Sequence, residues 1–116
     1  MIYKKSEMFT EHKPNLRGGE GSPLFRHLFA AEELGGRASM LAAVTLQPGE
    51  SIGTHPHEGN GEVYYVLTGS AMVEEDGVER ELSAGDAEFC ADGHSHAIRN
   101  HTDEPMSFLA LILPDR

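Results

Sequence analysis

Apolar side chains in this chain come in short clusters, not at the three-to-four-residue interval of an amphipathic helix. Residues 39–46 (SMLAAVTL), 62–67 (EVYYVL) and 105–113 are dense in β-branched, aromatic and aliphatic side chains. Short runs of that composition, bounded by turn residues, predict strands. Weaker alternation predicts further strands at 23–30, 51–57, 70–75, 78–82, 87–90 and 95–100. Pro48-Gly49 and residues 83–86 (SAGD) separate them. Asp76-Gly77 lies between two such runs and predicts a hairpin, because a type I′ turn needs positive φ at both central positions. Residues 30–36 (AAEELGG) predict at most one helical turn, ended by Gly35 and Gly36. Many short strands without a long helical period predict an antiparallel all-β sandwich or barrel.

Ahead of these strands, Pro14, Gly18, Gly19, Gly21 and Pro23 give residues 11–23 the character of a loop. The expected organisation is one domain, with 1–22 as an N-terminal arm or loop of it and 23–116 as the barrel. The length, 116 residues, suits one domain with a sizeable core. Nine Lys and Arg face nineteen Asp and Glu, a formal charge of −10. Such a chain repels phosphate backbones and anionic lipid, so neither nucleic acid nor membrane is an expected partner. The apolar run 108–113 falls far short of the ~20 residues that span a bilayer, and no secretory pattern follows Lys4 and Lys5. The single cysteine, Cys90, excludes an internal disulfide and reads as a small buried residue. A cytoplasmic protein is the expectation.

Histidine changes the picture. Four of the seven histidines are His55, His57, His94 and His96. On a strand, the side chains at 55 and 57 share one face, ~6.6 Å apart, and can converge on one ion. Pro56 between them removes a ladder donor, which suits a strand edge or a bend. Gly59 and Gly61 let the chain reverse, so that Glu62, opening the next strand, returns beside the pair. His96 lies on a later strand that passes close by if the sheet closes on itself. Three neutral imidazoles and one carboxylate suit one divalent transition metal, with coordination positions left open for a ligand.

The same residues carry a family resemblance. Gly49 to Gly69 reads GESIGTHPHEGNGEVYYVLTG, and Gly49, His55, His57, Glu62 and Gly69 fit the pattern G-x5-H-x-H-x3,4-E-x6-G. Gly85 to Asn100 reads GDAEFCADGHSHAIRN, and Gly85, Gly93, His96 and Asn100 fit G-x5-P-x-G-x2-H-x3-N, with Ala91 in place of the proline. The chain thus resembles a small single-domain bacterial cupin. The resemblance implies a double-stranded β-helix, a jelly-roll barrel, with a metal held by His55, His57, Glu62 and His96. It implies Mn, Fe, Ni, Cu or Zn as the ion, and a homodimer as the assembly, for which the arm before Pro23 is a candidate exchange segment. Fold alone does not choose among dioxygenases, decarboxylases, isomerases, lyases and non-catalytic binders.

Other residues are weaker candidates. Glu58, in the glycine-rich loop, is a candidate general base. Tyr64 and Val66 share the inward face with Glu62; Tyr64 can serve a bound ligand or simply pack, and Val66 is a candidate substrate contact. His94 shares a face with His96 if the strand is already regular there, as a fifth metal ligand, a proton shuttle or a rim residue. Arg26, in PLFRHLF, is a candidate substrate contact. Asn100 reads as a structural turn residue, and Arg99 should face outward. No basic residue is placed by spacing to clamp an acidic substrate. Two functional readings follow: a metal-dependent enzyme on a small oxygen-bearing molecule, or a small-molecule binding or sensing module without turnover.

Overall fold

Ten strands pair antiparallel throughout, and in most of them, such as β3, β5 and β10, alternation decides which face is buried. The computed structural model describes residues 1–115; Arg116, the expected end of the domain, lies outside them. In chain order the strands are β1 Phe9–His12, β2 Leu24–His27, β3 Met40–Leu46, β4 Ser51–Pro56, β5 Asn60–Thr68, β6 Ser70–Glu75, β7 Val78–Ser83, β8 Ala87–Cys90, β9 Ser95–Arg99 and β10 Met106–Pro114. They form a six-stranded sheet, β1-β2-β3-β10-β5-β8, and a four-stranded sheet, β4-β9-β6-β7. This is the double-stranded β-helix expected from the sequence.

The core lies between the two sheets. Ala42, Val44 and Leu46 of β3, Tyr64 and Val66 of β5, and Phe108 and Ala110 of β10 face Ile52, Ala71, Val73 and Ile98 of the smaller sheet. Each large apolar side chain buried there contributes roughly 1.5–3 kcal/mol of transfer free energy. The hairpin between β6 and β7 turns at Asp76 (φ 50°) and Gly77 (φ 85°), the left-handed pair that a type I′ turn requires.

One segment differs from the expectation, and a second, residues 30–36, keeps to it. Within the N-terminal arm, residues 9–12 form an edge strand, with Phe9 opposite His27 and Glu11 opposite Phe25. The four residues FTEH carry no alternation of their own, so only their partner strand defines them. Residues 30–36 fold into a hydrogen-bonded turn, Leu34 N–H donating to Ala30 O and Gly36 N–H to Ala31 O, without becoming a regular helix.

A bulge in β4 shapes the site. Ile52 pairs with Ile98 and His55 with His96, so three steps on β4 match two on β9. Ile52 and His55 are separated by an odd number of positions, yet both are buried. The extra residue is what turns both inward.

Asn100 takes the structural role expected of it. Its Nδ2 donates to Leu46 O at 2.9 Å and Glu104 O at 2.7 Å, and its Oδ1 accepts from Thr102 N–H and Oγ1. Asn100→Ala strips partners from a buried corner and is expected to cost about 1–3 kcal/mol, read as a lower midpoint in urea unfolding with unchanged slope.

Candidate metal centre

Three strands and the residue just past one of them bring four potential ligand atoms to one buried point. His55 lies at the end of β4, directly across the ladder from His96 on β9. His57 follows just beyond β4, its N–H donating to His94 O and its carbonyl accepting from Gly93 N–H. Glu62 is the third residue of β5, whose partner strands β8 and β10 hold it in the larger sheet. All four side chains are buried.

The donor atoms converge. Glu62 Oε1 lies 3.1 Å from His57 Nε2, 3.0 Å from His96 Nε2 and 3.7 Å from His55 Nε2. His57 Nε2 and His96 Nε2 are 3.0 Å apart. Each imidazole is also anchored through its other nitrogen: His55 Nδ1 to Gly53 O at 2.8 Å, His57 Nδ1 to Asn60 Oδ1 at 2.7 Å, and His96 Nδ1 to Glu88 Oε1 at 2.8 Å. A ring that donates from Nδ1 presents a lone pair at Nε2. Three such lone pairs and a carboxylate facing one another in a buried space repel unless a cation lies between them. Two donors at right angles, ~2.1 Å from one ion, stand ~3.0 Å apart, the separation seen here. The residues therefore fit a divalent metal, and His55, His57, Glu62 and His96 would hold it.

Protonation supports the same reading. Burial works to raise the Glu62 carboxyl, yet the imidazoles of His55, His96 and His57 outweigh it and hold the group down at about 2. Burial likewise works to lower His96, but its hydrogen bonds and proximity to Glu62 and Glu88 lift it to about 9. Without metal, a proton on His96 offsets the carboxylates. A raised imidazole stabilises the metal-free fold fully below its unfolded value near 6.5 and ceases to as pH climbs through about 9. A metal must displace that proton. Calorimetric titration of metal-free protein at pH 7.5, in buffers of different ionisation enthalpy, should therefore show about one proton released per ion bound.

The remaining candidates lie at varied places. Tyr64 is fully buried and its ring stacks on His96, centroids 4.5 Å apart. Burial and the Glu62 and Glu88 carboxylates push its hydroxyl well above the ordinary tyrosine range, so it stays protonated. Val66 belongs to the apolar core between the sheets and does not line the cavity at the cluster. Glu58 is exposed on the loop between β4 and β5. His94 precedes β9 and turns outward to Asp76, whose hydrogen bond raises the imidazole above its ordinary value. Arg26 follows the inward-facing Phe25 on β2, occupies the other face, and is absent from the cavity wall. Arg99 is exposed and paired with Glu79. Burial pushes the Cys90 thiol up to about 12, in keeping with an inert structural cysteine.

Sequence reasoning missed the groups that orient the ligands, Asn60, Glu88 and the Gly53 carbonyl. It also missed two basic residues. A cavity of about 180 Å³ opens onto His55, His57 and Glu62, and Lys13 and Arg17 from the N-terminal arm line it, alongside Phe25, Met40 and Tyr64. Spacing along the chain gives no hint of this, because the arm reaches the site only through packing against β4. A larger cavity, about 510 Å³, lies against β1 and β2 and contains none of the four ligands.

The oxalate-binding protein of Thermotoga maritima is 37% identical over 113 residues, spanning 97% of this chain and 93% of that protein. Tetracenomycin polyketide synthase protein TcmJ of Streptomyces glaucescens is 30% identical over 89 residues; the match spans 77% of this chain and 60% of that longer relative. A crystal structure from Thermotoga maritima, described as a predicted oxalate decarboxylase, superposes with a TM-score of 0.94 at 37% identity, over 98% of this chain and 99% of that one. The cupin domain of Schizosaccharomyces pombe Cnp3 shares the fold at 15% identity, with a TM-score of 0.76 over 98% of this chain and 74% of that one. The model of the cupin domain family matches residues 42–112, a stretch that runs from β3 into β10 and contains His55, His57, Glu62 and His96. The chain belongs to the cupin domain family.

Proposed function

We propose that this cupin binds a small carboxylate through a divalent metal, with oxalate the first candidate ligand. The observation that carries the reading is the convergence of four buried donors, three of which, His55, His57 and Glu62, open onto a cavity of about 180 Å³. At ~30 Å³ per water, such a space holds about six waters, or an organic acid of comparable size. One carboxylate among the ligands leaves a divalent site with a formal charge of +1, which an anionic oxygen ligand neutralises. A divalent ion held there supplies Lewis acidity toward a carboxylate oxygen. The relative named as oxalate-binding supports the choice of ligand. Titration of manganese-loaded protein with oxalate should give saturable binding at one site, abolished by stripping the metal. Absence of binding to the loaded protein would overturn the reading.

Turnover is the second reading, and Glu58 is the residue that favours it. Its exposed carboxylate directly follows His57 on the loop that carries Gly59 at φ 74°; it lies outside the cavity wall in this structure, and serving as a proton donor or acceptor requires the loop to bring it in. Loss of oxalate with release of one carbon dioxide and one formate would establish decarboxylation, and loss with oxygen consumed and hydrogen peroxide formed would establish oxidation. Intact oxalate after prolonged incubation establishes binding alone.

The homodimer expected from the sequence finds support in the outer face of the six-stranded sheet. Tyr65, Leu67, Phe89 and Leu113 are exposed there together, an apolar patch suited to a second copy. Sedimentation should give a dimer that Tyr65→Asp with Leu67→Asp converts to monomer; a monomeric wild type contradicts it. Among the described residues, no helix is long and apolar enough to cross a membrane. The unpaired thiol of Cys90 suits the cytoplasmic location expected from composition.

A further inference from the structure

The N-terminal arm does something the cupin motifs do not encode. Between β1 and β2 the chain makes a tight 3-10 turn, Leu16–Gly18, with Asn15 at φ 51° and Arg17 at φ 55°. Two non-glycine residues in the left-handed region within three positions are costly, and such strain persists only where surrounding structure enforces it. Here the enforcement is close contact with β4. A Cβ at Gly53 would lie 2.1 Å from the Arg17 carbonyl oxygen, and one at Gly19 would lie 2.3 Å from the Ser51 carbonyl oxygen. The turn therefore sits flush on the bulge whose Gly53 carbonyl orients His55.

That packing brings charge to the cavity. Of nineteen acidic residues in the chain, only the ligand Glu62 lines the cavity, whereas Lys13 and Arg17 both do. Lys13 Nζ rests 4.4 Å from the centre of the Phe25 ring, a cation–π contact on the same wall. Neither basic side chain has a carboxylate partner; the one salt bridge made by a lysine or arginine among the described residues is Arg99–Glu79. A protein with formal charge −10 thus keeps a locally positive chamber, with the metal cluster on one side and two unneutralised cations from the arm on the other.

We propose that Lys13 and Arg17 hold the second carboxylate of a small dianion whose first carboxylate meets the metal, so that the arm makes the site selective for dicarboxylates over monocarboxylates. This rests on the carboxylate-binding reading above and adds the residues that set its specificity. Arg17 presents a planar fork suited to two carboxylate oxygens, and Lys13 a point charge. A monocarboxylate of similar size reaches the metal but leaves the arm cations unused.

The test compares oxalate with acetate on manganese-loaded wild type, Arg17→Gly, Arg17→Lys and Lys13→Met, with bound manganese measured in every sample. Glycine accepts the left-handed backbone at position 17, so Arg17→Gly keeps the turn while deleting the charge. Expected are full manganese occupancy in every variant, oxalate binding weakened about tenfold or more in Arg17→Gly and Lys13→Met, partial recovery in Arg17→Lys, and acetate binding unchanged. Variants that bind oxalate as wild type does overturn the role of the arm while leaving carboxylate binding intact. Equal weakening for acetate and oxalate also overturns it, by showing a general disturbance of the site. A loaded wild type that binds neither acid overturns the carboxylate-binding reading itself, a distinguishable result.

Discussion

Replacing His57 with alanine is expected to empty the metal centre. The substitution deletes one of four donors and frees Asn60 Oδ1, the acceptor that orients the ring. Loss of an orienting partner alone costs a metal site about 10–100-fold in affinity, so loss of a ligand should cost more than about 100-fold. His57 follows the end of β4 and faces the cluster, so the sheets do not depend on its side chain. The fold should survive, with circular dichroism matching that of metal-stripped wild type. Elemental analysis of wild type and His57→Ala, purified side by side, reads the result directly. Equal metal content in the two proteins would remove His57 from the ligand set.

Phe108→Ala should produce the largest loss of stability from one side chain. Phe108 is fully buried in β10, and its ring meets Tyr64 edge-on with centroids 4.8 Å apart. Removing a buried aromatic ring costs about 3–5 kcal/mol, from lost transfer free energy and the cavity left behind. In a domain of this size that lowers the thermal midpoint by roughly 10–20 °C. The effect should reach the metal as well. Tyr64 packs between Phe108 and the His96 ring, so a Tyr64 free to shift loosens a ligand. Calorimetry of the metal-loaded proteins should therefore show a larger loss of midpoint than the metal-free pair. Equal losses would mean that the aromatic stack does not support the centre.

Much of this architecture is written locally. The strands from β3 to β10 announce themselves because each has its own apolar run and its own turn, as Asp76-Gly77 does for β6 and β7. The four candidate ligands are legible for a related reason: a metal would restrict the donors to few residue types, and the turns around them fix their spacing. What escaped is whatever depends on a distant partner. The strand at residues 9–12 exists because β2 offers it an edge. The bulge in β4 is enforced by the need to bury both Ile52 and His55. Glu88 supports His96 from the opposite sheet, across eight positions of sequence. Lys13 and Arg17 reach the cavity because Gly19 and Gly53 allow two backbones to touch, a contact that neither segment signals alone.

The central claim is that one cation joins His55, His57, Glu62 and His96. Anomalous X-ray scattering from a crystal of manganese-loaded protein, collected above and below the metal absorption edge, addresses it most directly. The account predicts one dominant peak within ~2.0–2.3 Å of Nε2 of the three imidazoles and of a Glu62 carboxylate oxygen. A peak bound elsewhere, or no peak among these four side chains in a fully loaded crystal, would contradict it.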